Sequence, residues 1–118
     1  MFDPFWIVCK FGGTSVSTRS RWETIASVVR THRGDGVRPF LVCSALSGVS
    51  DQLEALLVEA RDGDPSATLE ALRERHDALA RDLGVAPDML DVPFRRLADR
   101  VRAVSEANAL SPRLRAAV

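Results

Sequence analysis

The sequence is almost without lysine. Lys10 is the single lysine among sixteen basic side chains, and the other fifteen are arginine. In a composition so biased toward arginine, a lysine kept only for surface charge is expected to have been replaced. Because a compact ammonium on a flexible stem meets a phosphate oxygen as a point charge, Lys10 is a candidate anion-binding residue.

A net charge and long apolar runs are absent too. Sixteen acidic side chains balance sixteen basic ones, which argues against a broad electrostatic grip on nucleic acid. No apolar run approaches the ~18 residues of a membrane helix, and residues 1–4 lack the basic start of a secretory signal. We therefore expect a cytoplasmic protein that binds neither nucleic acid nor a membrane.

Cysteine is scarce. Cys9 and Cys43 are the two cysteines, and both lie inside apolar, strand-like runs. This placement predicts buried, reduced thiols, which suits the cytoplasm. Two cysteines with remote histidines do not make a zinc site, so no metal-ligating residue is predicted.

The first part of the chain reads as a βαβα unit. Two short apolar runs predict buried strands over residues 5–9 and 40–43. Between them, a pattern resembling a capping box begins an amphipathic helix over residues 20–33. A second apolar stripe predicts a helix over residues 49–60. Strand, helix, strand within about forty residues predicts a parallel pair with a right-handed crossover.

The strands stop after residue 62, and residues 63–118 read as a helical section. Proline near a helix start marks three helices, which open at Asp64-Pro65, Asp91-Val92-Pro93 and Ser111-Pro112. Two parallel strands alone cannot bury both faces of a sheet. The predicted fold class is therefore α/β, the N-terminal portion of a larger domain, divided into residues 1–62 and 63–118.

Glycines and hydroxyls follow the first strand. Gly12 and Gly13 are expected to adopt positive φ and to let backbone N–H groups approach an anion closely. The order of residues excludes a P-loop and a dinucleotide G-x-G-x-x-G motif. The whole run predicts a phosphate site made by Lys10, Gly12, Gly13, Thr14 and Ser15.

A second polar loop, residues 44–51, follows the second strand. Ligands of open parallel sheets bind beyond the carboxyl ends of the strands, where neighbouring loops lie side by side. Ser44 ends the strand, so its hydroxyl can face this crevice. Ser50 and Asp51 either cap the next helix, as the spacing Asp51-x-x-Glu54 suggests, or contact a ligand.

Both loops together resemble the aspartate kinases of the amino-acid kinase family. Residues 10–16 match that family's K-F-G-G-T-S-V letter for letter. Residues 44–53 match S-A-x-x-G-V-T-[DN]-x-L, except that Ser50 stands where threonine is usual; serine keeps the hydroxyl and loses a methyl. Residues 65–118 resemble the helical insertion of these enzymes. The sequence around the first motif also resembles the bifunctional branch fused to a diaminopimelate decarboxylase.

The resemblance implies a reaction. Aspartate kinases transfer the γ-phosphoryl of MgATP to the side-chain carboxylate of L-aspartate, which gives 4-phospho-aspartate, the first step toward lysine, threonine and methionine. The resemblance assigns Lys10 as the catalytic residue, which neutralises charge on the moving phosphoryl group. It assigns binding of the nucleotide phosphates to Lys10, Gly12, Gly13, Thr14 and Ser15. It assigns binding of the aspartate to Ser44 and Ser50.

Later motifs of the family, G-E and G-R-G-G-S-D, lie outside this sequence. The resemblance therefore predicts an N-terminal fragment that is inactive alone, from an enzyme expected to be a homo-oligomer. Two alternatives stay open. One is another amino-acid kinase with a different acid substrate, and the other is a non-catalytic fragment that serves association or effector binding.

Overall fold

The structure, a computed structural model, describes residues 5–116. The chain divides into two compact units, residues 1–50 and 51–118. The predicted division, residues 1–62 and 63–118, was based on a different criterion, namely the point in the sequence after which no further strand is expected. The predicted class, a βαβα unit with two parallel strands followed by a helical section, is confirmed.

The first unit contains a parallel pair of strands joined by a helix. Strand β1 is Trp6–Phe11, a 3₁₀ turn follows at Thr14–Val16, helix α1 is Arg19–Gly34, and strand β2 is Arg38–Cys43. The pairing of the strands runs in register from Trp6 opposite Arg38 to Phe11 opposite Cys43.

Strand β1 extends two residues beyond its predicted end at Cys9. Lys10 therefore lies in the strand, opposite Val42, and not in the loop that follows. The cause is the backbone ladder: the Ser44 N–H still donates to the Phe11 carbonyl at 3.0 Å. The Lys10 side chain ends the apolar run in the sequence, but the hydrogen bonds of the main chain continue past it.

Helix α1 begins earlier than its predicted capping box. Thr18 has an extended backbone, and its hydroxyl accepts the Arg21 N–H at 3.3 Å, so Thr18 is the N-cap. The capping-box prediction at residues 20–23 is wrong, and Glu23 pairs instead with Arg19 at 3.2 Å. Several Ser and Thr residues in this segment could serve as the N-cap. Thr18 does so because its backbone is extended where the helix begins.

One face of the small sheet is exposed. Along β1, residues 7, 9 and 11 are half-buried, whereas residues 6, 8 and 10 face solvent. Trp6 is 63% exposed, Val8 68% and Phe40 56%. The predicted burial of both cysteines is wrong for Cys43, which is exposed, while Cys9 is half-buried. Within residues 5–116 the sheet has two strands, so β2 has no neighbour on its far side.

The second unit is helical. Helix α2 spans Val49–Asp62, its first two residues belonging to the first unit; α3 is Ser66–Leu83; a 3₁₀ turn lies at Pro87–Leu90; α4 is Asp91–Ala116. The core of this unit is made by Leu56, Ala60, Leu72, Ala80 and Val101. The separate helix predicted at Ser111-Pro112 is wrong, because α4 continues past it. A proline removes one backbone N–H and can kink a helix without ending it.

Polar side chains join the helices of the second unit. The Ser105 hydroxyl donates to the Ala60 carbonyl at 2.7 Å. Arg73 contacts Asp77 at 2.9 Å and Asp91 at 2.7 Å, and its guanidinium lies 5.1 Å from the centre of the Phe94 ring. Hydrogen bonding to Asp91 is the main reason that the pKa of Arg73 is raised. These contacts hold α3 against the start of α4.

Both ends of α3 lie close to their sequence signals, although Pro65, expected at the first helical position, is the N-cap. Gly84 adopts φ 71° and ends α3, as glycine commonly does at the C-terminus of a helix. Asp64 accepts the Ser66 N–H at 2.9 Å, and hydrogen bonding from Ser66 lowers the pKa of the Asp64 carboxyl below its ordinary value. Across residues 5–116, every helix is too short or too polar to cross a bilayer.

Candidate functional site

The two predicted loops leave the sheet side by side. Phe11 and Cys43 are opposite each other in the last pair of the ladder, so Gly12 and Ser44 follow at the same level. We call residues 12–18 the first loop and residues 44–48 the second loop. Both belong to the first unit and lie at the carboxyl ends of parallel strands, where such sheets bind ligands.

The first loop offers a row of backbone donors. The Ser15 N–H donates to the Gly12 carbonyl at 3.0 Å, and the Val16 N–H to the Gly13 carbonyl at 3.4 Å. Within the described residues, the N–H groups of Gly12, Gly13 and Thr14 have no acceptor. Successive N–H groups left free by a tight turn form a concavity suited to an anion such as phosphate.

Gly12 and Gly13 are glycines for a different structural reason from the one predicted. Positive φ occurs at Gly36, Gly48 and Gly84, so the expectation of positive φ at Gly12 and Gly13 is wrong. At Gly13, a Cβ would lie 3.2 Å from the Ala45 oxygen and from the Ser47 N and Cα, whereas at Gly12 nothing lies within 4 Å. Gly13 allows the loops to touch, and Gly12 keeps the backbone open to a ligand.

Lys10 lies one residue before the last rung of the ladder. Its side chain is exposed on the face of β1 that also carries Val8, and its strand partner is Val42. Within residues 5–116 the ammonium makes no hydrogen bond or ion pair. Because the lysine side chain is flexible, this ammonium can move toward an anion that enters the nearby loop.

The remaining predicted residues lie in or beside the same loops. In the first loop Thr14 is exposed and Ser15 half-buried. Ser44 is exposed, and its hydroxyl donates to the adjacent Ala45 carbonyl at 2.7 Å. Ser50 is exposed in the first turn of α2. Because α2 begins at Val49, neither Ser50 nor Asp51 is its N-cap, and the capping interpretation of these residues is wrong.

The second loop is shaped by a glycine turn. The Val49 N–H donates to the Leu46 carbonyl at 2.9 Å, which closes a four-residue turn. Gly48, at the third position of this turn, has φ 79°, as a type II turn requires. The turn directs the chain into α2 and so separates Ser44 and Ser50 by one compact loop.

One residue that joins the loops was not predicted. The Ser17 hydroxyl donates to the Gly13 carbonyl and accepts the Ser47 N–H at 2.9 Å. Ser17 follows the motif as a third hydroxyl after Thr14 and Ser15, and this is the one signal of it in the sequence. A partner thirty residues away is set by the fold, so spacing does not reveal it.

Helix α1 fixes the end of the first loop. The Trp22 indole N–H donates to the Val16 carbonyl at 2.7 Å, and Val16 is 1% exposed. Trp22 begins the apolar stripe of α1 and is half-buried. A buried carbonyl at the end of a turn thereby gains its hydrogen bond.

The donor set suits a phosphate better than a free metal ion. The first loop supplies N–H groups and an ammonium, which are anion ligands. Among the described residues, no three His, Cys, Asp or Glu side chains gather as a metal site. A metal ion such as Mg²⁺ is held instead by carboxylate, phosphate or water oxygens.

Comparison with known proteins gives a consistent relationship. The model of the amino acid kinase family matches residues 5–114. The chain is 38% identical to an aspartokinase of Chlamydia muridarum over 88 residues, which cover 75% of this chain and 18% of that protein. It is also 38% identical over 79 residues to an aspartokinase of Chlamydia trachomatis, covering 67% of this chain and 17% of that one.

Fusion proteins are similar as well. The chain is 39% identical over 80 residues to the chloroplastic bifunctional aspartokinase/homoserine dehydrogenase 2 of Arabidopsis thaliana, covering 66% of this chain and 8% of that protein. The chain thus spans less than a fifth of the length of these curated relatives.

Proposed function

The chain belongs to the amino acid kinase family, and we propose that it forms the N-terminal part of an aspartate kinase. The proposed reaction is transfer of the γ-phosphoryl group of MgATP to the side-chain carboxylate of L-aspartate. The observation that carries the proposal is the first loop, which follows Lys10 in the chain and lies directly next to the serine-bearing second loop. Three of its backbone N–H groups have no acceptor among residues 5–116. Relatives named as aspartokinases support the choice of substrate.

Phosphoryl transfer asks a protein mainly for positioning and electrostatic stabilisation. In the proposal, the N–H groups of Gly12, Gly13 and Thr14 hold phosphate oxygens, with the Thr14 and Ser15 hydroxyls as further donors. The Lys10 ammonium stabilises negative charge on the moving phosphoryl group. Bound Mg²⁺ would neutralise the phosphates and orient the leaving group.

The second loop is proposed to hold the acceptor. Ser44 begins this loop and Ser50 lies just after it in the first turn of α2, and both residues are exposed. Their hydroxyls would donate to the aspartate, Ser44 in place of its bond to the Ala45 carbonyl. Because β1 and β2 are neighbours, the acceptor loop and the phosphate loop meet at one edge of the sheet. This juxtaposition favours attack by a carboxylate on a phosphoryl group that the first loop holds.

The wider setting belongs to the same proposal. The reaction would supply 4-phospho-aspartate for lysine, threonine and methionine synthesis, in the cytoplasm, within a homo-oligomer. A fused diaminopimelate decarboxylase domain fits the resemblance of residues around the first motif. The relatives that matched include fusions to a homoserine dehydrogenase, so a second domain differs among similar proteins.

Substitution of Lys10 tests the proposal. In the intact protein that carries this chain, Lys10→Arg is expected to lower kcat for aspartate phosphorylation about 100-fold or more, because a planar guanidinium misplaces the charge. Arg21→Lys, an exposed site on α1, is the matched control and should leave kcat unchanged. The measurement is ADP release with aspartate as acceptor.

Two results would contradict it. Near-normal turnover of Lys10→Arg would remove the role assigned to the ammonium. Phosphorylation of a different acid in preference to aspartate would assign the chain to another branch of the family.

A further inference from the structure

We infer that Ser17 is a positioning residue that holds the first loop and the second loop at a fixed separation; its role in catalysis rests on the proposed function. The Ser17 hydroxyl donates to the Gly13 carbonyl and accepts the Ser47 N–H at 2.9 Å. A hydroxyl offers one donor and two acceptor sites. One oxygen can therefore satisfy a group in each loop at once.

The site of this link is where the loops are closest. A Cβ on Gly13 would lie 3.2 Å from backbone atoms of both Ala45 and Ser47, so the two main chains pack almost directly on each other. A hydrogen bond across such a contact fixes both its distance and its direction. Ser17 therefore adds orientation to a contact that packing alone would leave free to slide.

Other hydroxyls in these loops act locally. Ser44 donates to its neighbour Ala45, and Thr18 caps its own helix. Ser17 and Ser47 are thirty residues apart. Among the described residues of the two loops, the Ser17 hydroxyl is the side-chain group that bonds both of them. If Ser17 only closed a local turn, its hydroxyl would bond Gly13 but would have no bond from Ser47.

The link lies between the groups that the reaction must align. Gly13 contributes an N–H to the proposed phosphate site, and Ser47 lies in the loop bounded by Ser44 and Ser50. A shift of about 1 Å between reacting groups can cost about 100-fold in rate. Loss of the Ser17 hydroxyl is thus expected to lower kcat while the affinity for each substrate, held by groups of its own loop, changes little.

The test compares three variants of the intact protein that carries this chain. Ser17→Ala removes the hydroxyl, Ser17→Thr keeps it, and Ser20→Ala is the control, an exposed serine in the first turn of α1. Two readouts are measured. One is hydrogen exchange of the Ser47 amide without ligand, and the other is kcat and KM for ATP and for aspartate.

Ser17→Ala is expected to speed exchange of the Ser47 amide about tenfold, the worth of one hydrogen bond, and to lower kcat about 100-fold with KM changed less than threefold. Ser17→Thr should retain most of both properties, and Ser20→Ala all of them. Exchange of the amides of α1 should stay as it is in the unmodified protein.

Several outcomes overturn the inference. They are unchanged Ser47 exchange in Ser17→Ala, faster exchange throughout residues 5–50, or faster Ser47 exchange with an undiminished kcat. The exchange measurement needs no substrate. If the unmodified protein fails to phosphorylate aspartate while Ser17→Ala still releases the Ser47 amide, the proposed function fails and the link between the loops stands.

Discussion

The two compact units of the chain are held together by different groups. In residues 1–50, main-chain groups take part in most of the long-range hydrogen bonds, beside the buried side chains of Val16 and Ile25. These bonds are the β1–β2 ladder, the Ser44 N–H on the Phe11 carbonyl, and the Ser47 N–H on the Ser17 hydroxyl. In residues 51–118, side chains join the helices, through buried leucines and the ion pairs of Arg73 with Asp77 and Asp91.

The difference explains where the candidate chemistry lies. Main-chain donors are placed by the path of the chain, so the first loop depends on small residues and correct register more than on charged neighbours. The second unit derives its shape from side-chain volume and charge. Substitutions that add bulk next to the main chain should therefore destabilise the first unit. Substitutions that alter side-chain packing should destabilise the second.

The largest expected effect is in the core of the second unit. Leu56 is 1% exposed and its neighbour Leu57 is 54% exposed on the same helix. Leu56→Ala should lower the free energy of unfolding by about 2–5 kcal/mol because it leaves a cavity, while Leu57→Ala should change it by about 0.5 kcal/mol or less. Urea unfolding measures both, and equal losses would show that side-chain burial does not hold this unit.

The next largest effect is expected where a side chain is added at a glycine in the first unit. Gly13→Ala places a Cβ 3.2 Å from atoms of the second loop and should cost about 1–3 kcal/mol of stability, as overpacking does. Gly12→Ala meets nothing within 4 Å, so stability should be retained, while the added methyl obstructs the proposed phosphate site and weakens ATP binding.

Calorimetric titration with ATP and thermal unfolding separate these two glycine variants. If Gly12→Ala destabilised the protein as much as Gly13→Ala, the contrast between a packed glycine and an open one would fail.

The smallest effect expected is electrostatic. The Arg73 side chain is 28% exposed and contacts two carboxylates, whereas Arg102 is 67% exposed and contacts Asp99. Arg73→Gln should lower the urea midpoint, and Arg102→Gln should leave it unchanged, because exposed single pairs contribute little. High salt should reduce the difference. A first unit equally sensitive to salt would contradict its dependence on main-chain bonds.

Much of the fold was predictable from periodicity. Apolar runs located both strands, and helical spacing located α1, α2, α3 and the start of α4. The ends were harder to predict, since β1 continues through Lys10 and α1 starts directly after its N-cap, Thr18. Hydrogen bonds to distant or neighbouring residues decide both boundaries. Helix α4 passes Pro112 because one missing N–H does not oblige a helix to stop.

The candidate site was predictable as a set of residues but not as a geometry. The order of residues in two motifs identified both loops, and the parallel strands bring them together as expected. The reason for Gly13 and the contact from Ser17 to Ser47 come from packing between segments about thirty residues apart. Local spacing carries no record of such contacts.

The hydrogen bond from Trp22 to Val16 has a practical consequence. The chain has two tryptophans and no tyrosine, so its ultraviolet emission arises from two indoles in contrasting surroundings. Trp6 is largely open to water, whereas the Trp22 indole N–H donates to the carbonyl of Val16, the last residue of the 3₁₀ turn in the first loop. The protein therefore carries an intrinsic fluorophore at the glycine motif, and a change in Trp22 emission when a ligand binds this loop can be followed without an added dye.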